Sequence, residues 1–182
     1  MDYKSFVEER FKDHPKRLRH TLGVYKRAIE LGKIYGADLE VLKVASLLHD
    51  VTKHESDDYH IKMIDDEKIL SSYPKPMWHA YSAAKLAEEL GIKNKKIIEA
   101  INYHIFGKID MEIETMILCV SDFSEENRTF VEANEVYEVS LKNIKEAYLL
   151  AIESTLNHLK KQGIEPVKEQ KEVYRYYKEG RR

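Results

Sequence analysis

Six histidine and aspartate residues stand where the surrounding sequence is otherwise hydrophobic. They are His20, His49, Asp50, His79, His104 and Asp122. Each shares a helical face with apolar residues or follows an apolar run, so its side chain is predicted to point inward. An unpaired carboxylate removed from water costs on the order of several kcal/mol, so it is paired, protonated or bound to a metal. Imidazole and carboxylate groups together suit iron, manganese, zinc or magnesium, and the six residues therefore predict one metal site.

His49 and Asp50 are adjacent, and this adjacency has a geometric consequence. Neighbouring side chains on a helix diverge by about 100°. Near the end of a helix, the two residues can therefore approach one metal cluster from two directions. Asp50 also carries two carboxylate oxygens, so it can bridge two cations.

Each of these residues has an ordinary structural interpretation when it is taken alone. A single histidine on an apolar face is usually a hydrogen-bonded core residue, and a single aspartate at a helix end is usually a cap. Six such residues on five helices exceed what packing requires, which favours the metal site. The other histidines lie in polar surroundings and are predicted to be ordinary surface residues: His14, His54, His60 and His158.

The elements that must position these residues are predicted to be helices. Glycine and proline are scarce, at 7 and 4 residues, and apolar spacing is helical almost throughout. Helices are predicted over about 2–12, 15–35, 77–90 and 94–105, around the buried segments 44–48 and 116–120, over 132–162 as one helix or two, and from Pro166 to Tyr177. The polar stretch 53–68 has room for a short helix, and 71–76 is predicted to be a loop. The fold class is therefore all-α.

Length, charge and cysteine content restrict the organisation and the partners of the chain. The 182 residues show no internal repeat or dividing linker, so we expect one domain over 1–182, with a metal-binding core at about 15–130 and C-terminal helices at about 132–180 packed on it. The net charge of −2 provides no basic field for nucleic acid, and the single cysteine excludes an intrachain disulfide. The sequence contains neither a signal-like start nor about 18 consecutive apolar residues, so we expect a cytoplasmic protein that binds no membrane.

The order of the inward residues resembles a known pattern. His20, His49-Asp50 and Asp122 resemble the H…HD…D motif of the HD-domain metal-dependent phosphohydrolase superfamily. The segment 47–53, LLHDVTK, resembles the central motif of that superfamily, with Lys53 at the usual place. The resemblance implies an HD-domain helical bundle with metal-dependent phosphohydrolase activity.

A narrower resemblance, to the YqeK group, covers nearly the whole chain. It rests on RLRHTL (17–22), WHA (78–80), YH (103–104) with Gly107, and Asp122 followed by Glu125 and Arg128, whereas the segments directly after His104 and Asp122 depart from the group's usual sequence. Members of the group are symmetrical bis(5′-nucleosyl)-tetraphosphatases. The resemblance therefore implies hydrolysis of diadenosine tetraphosphate to two ADP with two divalent or mixed-valence metal ions, iron first, and manganese, zinc or magnesium as alternatives.

The resemblance also implies which residues hold the metal ions, and the spacing of nearby cationic residues suggests the rest of the site. One ion would be held by His20, His49, Asp50 and Asp122, and the other by Asp50, His79 and His104. Asp50 and Lys53 are the predicted catalytic residues, and Lys53, Lys108 and Arg128 are the predicted substrate contacts. Lys53 lies one helical turn after Asp50 and could bind a phosphate, but it could equally pair with Asp50 or Asp122. Arg128 could clamp a phosphate or form an ion pair with a nearby glutamate.

Two other functions stay open at this point. An HD-type nucleotidase or phosphodiesterase that acts on another nucleotide needs only the H…HD…D residues. A degenerate HD domain could instead bind nucleotides without turnover. A homodimer is a further expectation, with the C-terminal tyrosines as either core or dimer contacts.

Overall fold

The computed structural model describes residues 1–180, and within this range the chain forms α-helices and no β-strand. The helices are α1 (Tyr3–Arg10), α2 (Pro15–Tyr35), α3 (Leu39–Leu48), α4 (Asp57–Ile64), α5 (Glu67–Ser72), α6 (Trp78–Glu89), α7 (Lys95–Tyr103), α8 (Ile113–Ser124), α9 (Val131–Ser140), α10 (Ile144–Lys161) and α11 (Lys168–Lys178). A single turn of 3-10 helix, Lys75–Met77, leads into α6. The predicted all-α fold is confirmed.

Local residue choice explains where the site-bearing helices begin and end. Pro15 occupies the first position of α2, where its missing N–H costs nothing, and Gly36 ends the helix in the left-handed conformation with φ of 64°. Asp38 caps α3 because its carboxylate accepts hydrogen bonds from two backbone amides of the first turn. Helix α3 ends at Leu48, so His49 and Asp50 lie in the turn that follows.

Two predicted boundaries differ from the structure, and the segment 132–162 takes the second of its two predicted forms. Helix α1 ends at Arg10 instead of about residue 12. The segment 132–162 forms two helices, because the Asn143 side chain accepts a hydrogen bond from the Glu146 amide at 3.2 Å and starts α10 anew. Helix α5 covers residues 71–72, so the loop prediction was wrong there; Asp66 caps this helix and favours its formation.

Helix α2 packs against two of the other site-bearing helices. It lies against α3 and α8, and α3 and α8 both contact α7. The C-terminal helices α9 and α10 pack on α8 and on each other, while α11 packs on α10. The extent of the single domain stays a prediction. Over residues 1–180, no helix combines the length and the apolar character that crossing a membrane requires.

Candidate metal centre

The structure brings all six inward histidines and aspartates to one place. His20 belongs to α2, His79 to the first turn of α6 and Asp122 to α8, while His49, Asp50 and His104 directly follow helix ends. The four histidines and Asp50 are buried, and Asp122 is half-buried. Five segments of the chain therefore converge on one polar cluster inside an apolar interior.

Asp50 lies at the middle of this cluster. One of its carboxylate oxygens, Oδ2, lies 3.5 Å from Nε2 of both His20 and His49. The other, Oδ1, lies 3.1 Å from Nε2 of His79 and 3.8 Å from Nε2 of His104. The donor atoms thus form two groups that share Asp50, and within each group they lie within 4.8 Å of one another.

Asp122 extends the group on the His20 side. Its Oδ1 atom lies 3.0 Å from Nε2 of His20. Arg128 holds the aspartate from outside, since its Nη2 donates to Asp122 Oδ1 at 3.1 Å and to the backbone carbonyl of the same residue at 3.1 Å. The guanidinium also lies 3.9 Å from Glu125, so the predicted ion pair with a nearby glutamate has a structural counterpart.

The histidine rings are oriented by hydrogen bonds at their outer nitrogens. The Nδ1 atoms of His49, His79 and His104 lie 2.7, 2.8 and 2.7 Å from the backbone carbonyl three residues earlier. A carbonyl oxygen only accepts, so Nδ1 carries the proton and the Nε2 lone pair points into the cluster. Among the described residues, Nε2 of His49 is buried without a hydrogen-bond partner. An orphaned buried nitrogen of this kind fits a metal ligand.

Glu125 orients His20 in the same way, a role that its neighbours in the sequence do not indicate. Its Oε1 lies 3.2 Å from Nδ1 of His20, and its Oε2 accepts two hydrogen bonds from Asn127, both at 2.7 Å. The side chain approaches α2 at Gly23, where an added Cβ would lie 2.3 Å from Oε2. A glycine in α2 therefore makes room for the carboxylate that supports His20.

Burial and charge give these groups the protonation states that a metal site needs. Burial lowers the pKa of His49, His79 and His104, in the last case to about 4, so their rings are neutral near pH 7. Burial would raise the pKa of Asp50, but nearby positive charge, including the Lys53 ammonium, holds it well below its usual range. Neutral imidazoles and an ionised carboxylate are the forms that bind metal ions.

His20 differs from the other three histidines. Burial disfavours its charged form, but hydrogen bonds to Asp122 and Glu125 outweigh burial and raise its pKa to about 9. The ring is therefore protonated near neutral pH in the metal-free protein. A metal ion at Nε2 would have to displace this proton, and its charge would then neutralise the nearby carboxylates.

Lys53 contacts the cluster directly, whereas Lys108 pairs with a residue outside it. The Lys53 ammonium lies 3.1 Å from Nε2 of His79 and 3.2 Å from Nδ1, at the edge of the cluster. Lys108 instead pairs with Glu99 at 2.9 Å. Arg17 contacts the Asp50 carboxylate through its guanidinium. The roles of Lys53, Lys108 and Arg128 toward substrate stay predictions.

A buried hydrogen-bond chain behind His79 corrects the prediction for His60. His60 is buried, not a surface residue, and its Nδ1 lies 2.8 Å from the hydroxyl of Ser82. The Ser82 hydroxyl lies 2.8 Å from that of Thr52, which donates to the backbone carbonyl of His79 at 2.9 Å. These hydrogen bonds connect α4 and the turn after Asp50 to the start of α6. His14, His54 and His158 are exposed, as predicted.

An all-helical protein in which two pairs of buried histidines share one buried aspartate is a metal-dependent hydrolase of the HD class. The chain belongs to the HD domain family, whose model matches residues 17–126 and so includes all six cluster residues. The narrower resemblance to the YqeK group is confirmed by curated relatives that carry its activity in their names.

The relatives cover most of the chain. It is 31% identical over 161 residues to the "Bis(5′-nucleosyl)-tetraphosphatase, symmetrical" of Bacillus subtilis (strain 168), with 86% of each protein covered. It is 29% identical over 152 residues to the protein of the same name from Halalkalibacterium halodurans, with 81% of each covered. The crystal structure of a predicted HD superfamily hydrolase involved in NAD metabolism from Clostridium acetobutylicum has a TM-score of 0.86 over 96% of both chains. At 24% identity, this last likeness shows the fold.

Proposed function

We propose that this chain hydrolyses diadenosine tetraphosphate symmetrically, to two ADP, at the His/Asp cluster. The observation that carries the proposal is the position of Asp50, whose two carboxylate oxygens each face two imidazole nitrogens. A carboxylate in this position suits two cations a short distance apart, which is the arrangement that many phosphate-transferring enzymes use. The names of the relatives indicate the substrate.

The ligand assignment follows the two groups of donor atoms. We assign one ion to His20, His49, Asp50 and Asp122, and the other to Asp50, His79 and His104. Iron is the first choice, with manganese, zinc or magnesium as alternatives, because mixed imidazole and carboxylate ligands accept several first-row metals. Bound ions of this kind supply Lewis-acid activation of water and neutralisation of phosphate charge.

The residues around the cluster bind and orient the substrate. The positive charges of Lys53 and Arg128 lie at its edge, where they would contact phosphate oxygens on either side of the bond that breaks. Lys53 would also assist the departure of ADP. Arg128 already holds Asp122, so the same guanidinium would link a metal ligand to a phosphate. Lys108, which is paired with Glu99, is kept as a more distant phosphate contact.

Product analysis tests the proposal. Metal-loaded protein, prepared without oxygen, is incubated with diadenosine tetraphosphate, and the nucleotides are separated, with Asp50→Asn as an isosteric control. ADP as the sole product, absent in the variant, is the expected result. AMP and ATP as products would show asymmetrical cleavage and would contradict the proposed cleavage position. If protein with confirmed metal content shows no turnover, diadenosine tetraphosphate is not the substrate, and another nucleotide is favoured.

Three further expectations stay predictions. They are a cytoplasmic location, a homodimeric state and the lack of nucleic-acid binding.

A further inference from the structure

Two cavities meet at Arg128, beside the metal centre. The first is an inner cavity of 230 Å³ that is lined by His104, Asp122 and Arg128. An outer cavity of 610 Å³ adjoins it, and Phe123, Phe130 and Thr155 line both. We call these two adjoining cavities the Phe130 groove. The second is a cleft of 740 Å³ that His20 and Arg128 line.

The two spaces carry opposite charges. The outer part of the Phe130 groove is lined by three glutamates and a single lysine: Glu132, Glu135, Glu153 and Lys161. The cleft is lined by four cationic side chains and two glutamates: Lys16, Arg17, Arg19, Arg128, Glu125 and Glu126. A polyphosphate chain is attracted to the cleft and repelled by the outer groove. The outer groove therefore suits the uncharged end of a nucleotide.

Aromatic side chains stand at the entrance from the outer groove to the metal centre. The rings of Phe123 and Phe130 pack edge to face, with centroids 5.2 Å apart. Phe130 nevertheless keeps 40% of its surface exposed. An exposed aromatic face on a protein with a nucleotide substrate offers a stacking surface for a base. The volume of the outer cavity lies within the range typical of small-molecule sites.

We propose that the Phe130 groove binds one of the two nucleoside ends of the substrate, with the base against Phe130 and the phosphates passing Arg128 toward the metal centre. This inference rests on the proposed function, because it takes a nucleotide as the substrate. The carboxylates of the outer groove accept hydrogen bonds and so favour a base that carries an exocyclic amino group, as adenine does.

Binding measurements with two matched ligands test the groove. ADP and inorganic pyrophosphate carry two phosphates each and differ in the nucleoside. Calorimetric titration of metal-loaded protein is expected to show that Phe130→Ala weakens ADP binding roughly tenfold while pyrophosphate binding stays within about twofold. Phe130→Trp is expected to restore ADP binding. The matched control is Val131→Ala, since Val131 is 81% exposed and lines neither part of the groove.

The outcomes separate this inference from the proposed function. ADP binding that Phe130→Ala leaves unchanged, or an equal loss of ADP and pyrophosphate binding, would overturn the groove as a nucleoside site. If the wild-type protein converts diadenosine tetraphosphate to ADP in the same experiment, that failure leaves the proposed function intact. Phe130-dependent ADP binding in a protein that does not cleave diadenosine tetraphosphate would support the groove and overturn the proposed function.

Discussion

The Nδ1 atom of His20 lies 3.2 Å from Oε1 of Glu125, although the two residues are 105 positions apart in the sequence. The glutamate is 3% exposed, and Asn127 holds its other oxygen. The contact therefore fixes the His20 ring with Nε2 directed at Asp50 and Asp122. A carboxylate behind a metal-binding histidine fixes the ring and raises its basicity as a ligand.

Replacement of Glu125 by glutamine is expected to weaken metal binding. The variant Glu125→Gln keeps the size of the side chain but removes the charge that supports His20. Loss of such an outer partner typically lowers metal affinity by about 10–100-fold. Competition titration with a chelator of known affinity measures the change. Glu126→Gln is the matched control because Glu126 is exposed and pairs with Lys26, so an equal loss in both variants would contradict the role of Glu125.

Gly23 is expected to act through the same carboxylate. In Gly23→Ala the new Cβ would lie 2.3 Å from Glu125 Oε2, so the glutamate must move away from its present position. We expect a loss of metal affinity similar to that of Glu125→Gln, and a double variant little worse than either single one, because both act on one contact. The same chelator competition measures all three proteins.

Gly32→Ala provides the comparison for this substitution. Its Cβ would meet the ends of the Leu42 and Leu39 side chains, at 2.4 and 2.9 Å, in the packing between α2 and α3. Overpacking of this kind costs about 1–3 kcal/mol of stability. We expect a lower unfolding temperature and an unchanged metal affinity of the folded protein. A metal affinity in Gly23→Ala no lower than in Gly32→Ala would show that Glu125 adjusts without consequence.

The six cluster residues could be predicted from the sequence because each lies within a local apolar pattern. Helical periodicity around His49 or His104 spans enough residues to show which side faces inward. Pro15 and Gly36 likewise mark the ends of α2 by backbone chemistry alone. These features depend on neighbours in the sequence, and the structure agrees with them.

Glu125 and His60 could not be predicted in the same way because tertiary contacts alone bury them. Glu125 follows the end of α8 in the polar segment EEN, and its contacts with His20 and Asn127 and its approach to Gly23 remove it from solvent. His60 lies among charged residues in the eight-residue helix α4, which is too short to define a periodic face. Its burial depends on the packing of α4 against α6, where its Nδ1 atom forms a hydrogen bond with the Ser82 hydroxyl.

His79 is expected to determine the number of bound ions. It belongs to only one of the two donor groups, so His79→Ala should remove the ion shared by Asp50, His79 and His104 and leave the other. Metal analysis of purified protein is expected to fall from two ions per chain to one, with loss of turnover. A single ion in both the wild type and the variant would contradict the two-ion assignment.

His60→Ala is the control that distinguishes the loss of a metal ligand in His79→Ala from the loss of any buried histidine. His60 is buried and hydrogen-bonded to α6, but it lies outside both donor groups. Removing it breaks the hydrogen bond to the Ser82 hydroxyl, which keeps Thr52 as a partner, and is expected to cost about 0.5–1.5 kcal/mol of stability. We expect a lower unfolding temperature and unchanged metal content.

Metal removal is expected to destabilise the fold, because it leaves ionised carboxylates and imidazoles crowded in a buried cluster. Asp50, Asp122 and Glu125 all lie close to His20, and a bound cation offsets their charge. An ion that binds only the folded state stabilises it by about 2.7 kcal/mol at roughly 100 times its Kd. For a chain of this length, the loss corresponds to a fall in Tm of about 5–10 °C, which a thermal scan with and without chelator measures.

Asp50→Asn removes the shared ligand, so the chelator should shift its Tm little. An equal shift in the variant would place the stabilising ion elsewhere and contradict the central position of Asp50.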